Sequence, residues 1–261
     1  MPTSKPTEAQ PMAERADSSL ARMLSVLDLF SDQHLHWSAE DIGEALGVSL
    51  PTSYRYLKTL SDAGLLRRGH DAQYTLGPRI VMLDHYIRQA DPVLQCAIPF
   101  MKELVAQTGF DCVVSSLHGE QLLDTHREYS TLPANLSYGR GRPRPLFQGA
   151  APKVILAGLP TPQLHRLLDA RKAEVAAAGL PTDWPSFRRG FGQIRKAGFY
   201  FSNGELEPNL AAIAVPLQQP DGSVVAALSL VTTVQRMAVI DRHKLTPLIQ
   251  RAAGEIAARL H

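Results

Sequence analysis

Apolar residues between Leu20 and Phe30 recur every three or four positions. This spacing places them on one face of an α-helix, and either Ser18 or Ser19 can cap the first turn. The pattern predicts an amphipathic helix that runs through Leu29 and packs into a core.

A second and a third helix are predicted with a short turn between them. Ser38 precedes Asp41 by three residues, close to a capping box, and Gly47 follows the apolar positions that continue the helix. The third helix is predicted over residues 50–62, with Ser49 as its candidate N-cap. Helix, turn and helix in this order are typical of a helix-turn-helix unit that enters the DNA major groove.

The third predicted helix has two chemically different faces. Its inward face combines Ser53, Tyr56, Leu57 and Leu60 at helical spacing. The opposite face is short, polar, aromatic and cationic, and in a helix-turn-helix such residues meet base edges and phosphates. The candidate DNA-binding residues of this face are Pro51, Thr52, Tyr54, Arg55 and Lys58.

Residues 67–76 predict a β-hairpin, or wing, with two short arms around a polar tip that contains glycine. The formal net charge of +2 is too small to indicate nucleic-acid binding. A DNA-binding surface must therefore show as a local excess of basic residues. Basic residues here outnumber Asp62 and Asp71, and they add Arg67 and Arg68 to the candidate DNA-binding set. Winged helices also serve as protein-docking modules, so this alternative stays open.

The rest of the chain predicts a connecting helix and an α+β domain with an antiparallel sheet. Asp91 and Pro92 end the connecting helix, and one face of the sheet is expected to be free of helices and to line a cavity. Helices are predicted at 93–108, 149–159, 162–178, 186–197 and about 240–260, and strands at 110–117, 121–125, 211–218 and 223–231. The predicted segments are a disordered tail at 1–17, a winged helix-turn-helix at 18–78, a linker helix at 79–91 and a C-terminal domain at 92–261.

Five runs of the N-terminal third resemble the IclR family of transcription regulators in both order and spacing. They lie at residues 19–24, 46–48, 54–60, 64–66 and 74–77. The chain departs from the family at Leu50 and Pro51, where relatives more often carry polar residues, so the bases read there are expected to differ.

The C-terminal domain resembles the GAF-like effector-binding domain of the same family. The resemblance covers residues 139–147, Lys153, Glu205 and residues 213–216, while Pro152 stands where the family commonly has glycine. The resemblance places the ligand-contacting positions on Gly149, Ala150, Ser202, Ala212 and Ser229.

The residues at these positions favour a small acid as ligand. Gly149 and Ala150 at a helix N-terminus offer backbone N–H groups to a carboxylate, and nearby Arg140, Arg142 and Arg144 add positive potential. The expected apolar walls of this small pocket are Leu136, Tyr138 and Phe147.

An enzyme, a metal site and a cofactor site are not expected. Ser115, His118 and Asp124 lie close in sequence, but alternate strand positions face opposite ways and no oxyanion hole adjoins them. The histidines are dispersed, two cysteines cannot form a metal cluster alone, and the glycine-arginine run lacks the lysine of a phosphate loop.

The expected function is sequence-specific binding of double-stranded operator DNA, controlled by a small-molecule effector. The effector is expected to be a small aliphatic or aromatic carboxylate of a catabolic pathway, and the resemblance implies a homodimer or homotetramer. No apolar run has the length of a membrane span or resembles a signal peptide, so the expected location is the cytoplasm, without membrane contact. The competing hypothesis is an effector-free scaffold whose winged helix docks another protein.

Overall fold

In a computed structural model, the structure describes residues 18–260, which divide after Ala90 into two compact units. Each unit has hydrophobic cores of its own. The predicted disordered tail at residues 1–17 lies outside the described residues. The linker helix groups with the N-terminal unit, and the predicted domain boundaries stay predictions.

The N-terminal unit packs short helices and a two-stranded hairpin around one core. The spacing of its buried residues follows the predicted helical faces, since Ile42, Tyr56, Leu57 and Leu60 all lie inside. Its elements are α1 (Ser19–Leu24), a 3-10 turn (Leu27–Leu29), α2 (Ala39–Leu46), α3 (Leu50–Asp62), β1 (Leu66–Arg68), β2 (Tyr74–Leu76) and α4 (Pro78–Ala90).

The first helix ends earlier than its apolar period predicts. α1 stops at Leu24, because the Ser25 hydroxyl donates to the Arg22 carbonyl and the next backbone bond tightens to 3-10 spacing. The prediction of one helix through Leu29 is therefore wrong. Ser18 is the N-cap, accepting from the Ala21 N–H at 3.1 Å.

The predicted caps of the next two helices fare differently. The capping box between Ser38 and Asp41 is present, and Gly47 ends α2 in the left-handed conformation, with φ of 62°. Ser49 precedes α3, but its side chain caps no backbone N–H and instead lies 3.0 Å from the Thr52 hydroxyl.

Glycine is required where α3, the hairpin and α4 meet. A Cβ on Gly77 would lie 2.2 Å from the Gly64 carbonyl oxygen, so no larger residue fits. The Gly77 N–H donates to the Leu65 carbonyl at 2.7 Å, and Arg79 donates to the carbonyls of Gly64 and Ala63. The end of α3, the base of the hairpin and the start of α4 are therefore tied together.

The C-terminal unit is an α+β domain, which confirms the predicted fold class. Its strands form one antiparallel six-stranded sheet in the order β5-β4-β3-β8-β7-β6. The strands are β3 (Asp111–His118), β4 (Gln121–Glu128), β5 (Pro143–Arg144), β6 (Tyr200–Asn203), β7 (Leu210–Gln218) and β8 (Val224–Thr233). The helices are α5 (Pro92–Thr108), α6 (Ala150–Gly158), α7 (Thr161–Ala170), α8 (Lys172–Ala177), α9 (Trp184–Ala197), α10 (Val234–Ala238) and α11 (Arg242–Ala257).

Helices pack on both faces of this sheet, so the expectation of a free face is corrected. α5, α10 and α11 share one core with it, and α6 to α9 share the other. A cavity survives on the second face, where small side chains underlie a loop. The predicted helix at 162–178 divides at Arg171, whose φ of −124° and ψ of 33° are not helical.

Candidate functional site

α3 presents the two faces that its sequence predicts. Ser53, Tyr56, Leu57 and Leu60 are buried, while the residues of the opposite face are exposed apart from the half-buried Thr52. The exposed members of the candidate DNA-binding set on this helix are Pro51, Tyr54, Arg55 and Lys58.

Backbone pairing fixes the hairpin that follows α3. Its strands pair in register with Arg67 opposite Thr75, and Tyr74 exchanges backbone hydrogen bonds with Trp37 on its other side. Arg67 and Arg68 are exposed on β1. The unit thus has an exposed polar and cationic helix face, and two further arginines on the hairpin.

The predicted effector-binding residues converge on one narrow cavity in the C-terminal unit, apart from Phe147. The cavity measures about 30 Å³. Phe147 is buried among the helices behind it, with its ring 6.4 Å from that of Phe187, so it forms no wall. The predicted residues that border the cavity are Leu136, Tyr138, Gly149, Ala150, Ser202, Ala212 and Ser229.

Strand register explains why residues so far apart in sequence meet. Ser202 on β6 pairs with Ala212 on β7, and Ala214 pairs with Ser229 on β8. Directly paired residues of an antiparallel sheet point to the same face. Their small side chains leave the gap between the sheet and its covering loop.

An ion pair at the cavity wall escaped prediction. Asp124 is 3% exposed, and one of its oxygens accepts from Arg144 at 2.8 Å and from the Ser115 hydroxyl at 2.7 Å. The expected positive potential of Arg144 is therefore balanced by this carboxylate. His118 lies outside the cluster, exposed and 2.9 Å from the Ser116 hydroxyl, so the three groups weighed for catalysis do not assemble.

Two buried polar atoms at the cavity have no hydrogen-bond partner among residues 18–260. They are the hydroxyl of Ser229 and the Nε of Arg144. A buried donor without an acceptor costs free energy. These atoms are therefore suited to bind an oxygen-rich ligand.

The N-terminus of α6 is already occupied by a carboxylate of the protein. Gly149, with φ of 89° and ψ of 177°, donates its N–H to Glu205 at 3.2 Å. The same carboxylate accepts from Lys153 at 2.6 Å and from the Tyr200 hydroxyl at 2.8 Å. The prediction that the Gly149 N–H is open to a ligand is corrected, whereas Ala150, as the first helical residue, lacks an intrahelical acceptor.

The loop over the cavity is anchored by Asp111, the first residue of β3. Its carboxylate accepts from the N–H groups of Ser130 and Ala134, each at 2.7 Å, and from Arg127 at 2.6 Å. Burial opposes ionisation, but these hydrogen bonds outweigh it and lower the pKa of Asp111. The segment leading to Leu136 is thereby held in place.

Other site chemistries find no support in the described part of the chain. Within residues 18–260 no three His, Cys, Asp or Glu side chains group so as to hold a metal ion. None of the helices described is long and apolar enough to cross a membrane.

Comparison with known proteins gives matches over both units. The family model described as "IclR helix-turn-helix domain" matches residues 19–70, and the model described as "Bacterial transcriptional regulator IclR C-terminal" matches residues 85–258. The transcriptional regulator XynR of Escherichia coli is 28% identical over 221 residues, which cover 84% of this chain and 87% of XynR.

Solved structures show the same fold. An IclR-type regulator from Silicibacter has a TM-score of 0.76, at 24% identity over 93% of this chain and 96% of its own. An IclR homologue from Microbacterium hydrocarbonoxydans, solved with 4-hydroxybenzoate, has a TM-score of 0.74, at 24% identity over 93% of this chain and 99% of its own. The chain belongs to the IclR family of bacterial transcriptional regulators.

Proposed function

We propose that this protein binds a specific operator and that a small carboxylate in the narrow cavity controls that binding. The family supplies the coarser statement: the protein is a transcriptional regulator with a DNA-binding helix-turn-helix and an effector-binding domain. The sequence prediction that it is not an enzyme is confirmed, since its relatives are regulators.

One observation supports the choice of ligand: the buried Ser229 hydroxyl and Arg144 Nε at the cavity have no hydrogen-bond partner in the described part of the chain. Both donate hydrogen bonds, and carboxylate oxygens accept them. The complex of the Microbacterium homologue with 4-hydroxybenzoate supports an acid of this class. Because about 30 Å³ holds little more than water, the loop that carries Leu136 and Tyr138 must move outward to admit the acid.

The proposed reading surface is the exposed face of α3 together with Arg67 and Arg68. Selection from a random DNA library, followed by fluorescence anisotropy on selected and scrambled duplexes, would define the operator. Replacing Arg55 by alanine should weaken operator binding by about 1–3 kcal/mol if its guanidinium contacts a base. The variant Arg55→Lys keeps the charge and should lose discrimination between duplexes while retaining general affinity. Unchanged discrimination in both variants would remove Arg55 from the surface.

Effector control is tested with benzoate, 4-hydroxybenzoate and short aliphatic acids. An acid that binds the folded protein raises its melting midpoint, and the same acid should then change operator affinity. If an acid binds but leaves operator affinity unchanged at every concentration, the proposed coupling is wrong.

The apolar residues on α1 and α4 support a symmetric homodimer. α4 buries none of its side chains, and Val81 and Ile87 are 73% and 63% exposed. Leu20 on α1 is 70% exposed. The double variant Val81→Glu/Ile87→Glu should lower the mass measured by sedimentation, whereas a mass equal to that of the wild type would place the interface elsewhere.

The scaffold hypothesis gives a different salt response. Phosphate contacts release counterions, so specific DNA affinity should fall steeply as salt rises. DNA affinity that is weak and indifferent to salt would favour the docking of a protein instead.

A further inference from the structure

A second cavity lies between α9 and β6, and Lys153 borders it. It measures about 410 Å³, within the range of cavities that enclose small organic molecules. Its walls are apolar apart from Lys153, Gln193 and the Tyr200 hydroxyl, and they include five aromatic side chains, those of Phe187, Phe191, Phe199, Tyr200 and Phe201.

The polar end of this cavity carries no net charge. Lys153, which is 5% exposed, donates to the Tyr200 hydroxyl at 3.0 Å and to Glu205 at 2.6 Å. The ammonium and the carboxylate neutralise each other, so a second anion gains little there. The ammonium has three donors and makes two hydrogen bonds to described side chains, which leaves one for a neutral acceptor.

Contacts with neighbouring side chains restrict the aromatic rings of the cavity walls. The Phe187 ring lies 4.7 Å from that of Phe191, and the Arg242 guanidinium stacks 3.8 Å from the centre of the Phe201 ring. Rings with fixed edges and faces favour another aromatic ring over a flexible chain. The cavity is therefore shaped before any ligand arrives.

We propose that this cavity binds a neutral aromatic molecule that carries one hydroxyl or carbonyl oxygen. The ring packs among the phenylalanines, and the oxygen accepts from the Lys153 ammonium, because the Tyr200 hydroxyl already donates to Glu205. This site is separate from the narrow cavity, and it does not depend on the function proposed for that cavity. The two sites are proposed for different ligands, because the narrow cavity has two buried donors without a partner among residues 18–260, whereas five aromatic side chains line this cavity.

The chain offers a matched pair of positions for the test. Gly190 and Gly192 both lie on α9, neither has a positive φ, and a Cβ on either meets nothing within 4 Å. Gly190 borders the cavity and Gly192 does not. Leucine at 190 therefore fills the cavity, whereas leucine at 192 points elsewhere on the same helix, and both raise helix propensity.

The experiment uses the full chain and 2-naphthol, with 2-naphthoate as the charged probe of the same shape. Calorimetric titration should show one 2-naphthol per chain, with binding weakened by about tenfold or more in Gly190→Leu and unchanged in Gly192→Leu. The affinity for 2-naphthoate should be the same in Gly190→Leu as in the wild type. Should Gly190→Leu fold poorly by circular dichroism, Ala197→Leu on the same cavity wall takes its place.

Three results would overturn the proposal. Equal 2-naphthol binding by the wild type and both variants would place the ligand elsewhere. No binding of 2-naphthol or acetophenone by the wild type would exclude the ligand class. A lower sedimentation mass of Gly190→Leu would make this face a contact between copies of the chain.

Discussion

Two cavities of the C-terminal unit differ in their chemistry, although Gly149 at one and Lys153 at the other donate to the same carboxylate, that of Glu205. Within residues 18–260 the Ser229 hydroxyl and Arg144 Nε at the narrow cavity have no hydrogen-bond partner, while the wide cavity has five aromatic side chains and Lys153, which is paired with Glu205. Glu205 connects them, since it accepts from Gly149 on one side and Lys153 on the other. We therefore expect the narrow cavity to select a ligand by hydrogen bonds to its open donors, and the wide cavity to select one by the shape of its aromatic walls.

The largest effect is expected at the ion pair of Lys153 and Glu205. Lys153→Met leaves the Glu205 carboxylate without its cation and should cost about 2–4 kcal/mol of unfolding free energy in the C-terminal unit. Urea denaturation measures this cost, and Lys172→Met, at an exposed lysine on α8, should stay within about 0.5 kcal/mol of wild type. Adding Glu205→Leu to Lys153→Met should recover part of the loss. If the two variants have equal unfolding free energies, the ion pair between Lys153 and Glu205 does not stabilise the C-terminal unit.

A smaller loss of unfolding free energy is expected at Gly149, whose backbone conformation shapes the narrow cavity only. Gly149 has a φ and ψ that are nearly exclusive to glycine, so Gly149→Ala should cost about 1–3 kcal/mol. Gly139→Ala is the control, because Gly139 has no positive φ and an added Cβ meets nothing within 4 Å. Thermal unfolding compares the two, and 2-naphthol affinity should be the same in both. Equal midpoints for the two variants would contradict the strain at Gly149.

Ser229→Ala should separate ligand binding from stability. Its hydroxyl has no partner in the described chain, so its removal should leave unfolding free energy unchanged or slightly raised. Acid affinity should fall about fivefold to tenfold, the value of one hydrogen bond. Thr232→Val removes another buried, unpartnered hydroxyl that does not border the cavity, and it should leave acid affinity alone. Acid affinity that survives in Ser229→Ala would move the acid out of this cavity.

The smallest effect is expected from acid pH, and only on the loop above the narrow cavity. Because the folded-state pKa of Asp111 is lowered from 3.8, its contribution is complete above that value and is lost as the pH falls through the folded-state pKa. Hydrogen exchange, corrected for intrinsic rates, should show the Ser130 and Ala134 amides losing protection there before the β8 amides do. Simultaneous loss in the loop and in β8 would indicate global unfolding instead.

Much of the N-terminal unit could be predicted because its signals are local. The capping box of Ser38 and Asp41 and the glycine at 47 act within one helical turn, so the sequence alone shows them. The early end of α1 was missed, because a serine bonding its own helix competes with an apolar period that continues. The edge strands β5 and β6 were missed because each is short, with two and four residues, and has a partner strand on one side only.

The candidate site divides in the same way. Resemblance brought together the small residues at the narrow cavity, but not their charged neighbours. Arg144 and Asp124 lie 20 residues apart, and Gly149 and Glu205 lie 56 apart, so only the folded sheet shows which charges pair. Phe147 illustrates the reverse error, since an apolar residue in a signature loop can face the core as readily as the ligand.

The crowded glycine at 77 has a consequence for engineering. Gly77 and Arg79 donate to carbonyls just after the end of α3, and Gly77 has no room for a Cβ. A chimaera joined directly after Gly77 would therefore replace Arg79 and begin a foreign helix at this crowded junction. A junction after Ala90 keeps these bonds and follows the division between the compact units. In a chimaeric regulator, the helix-turn-helix and hairpin should therefore be exchanged together with α4.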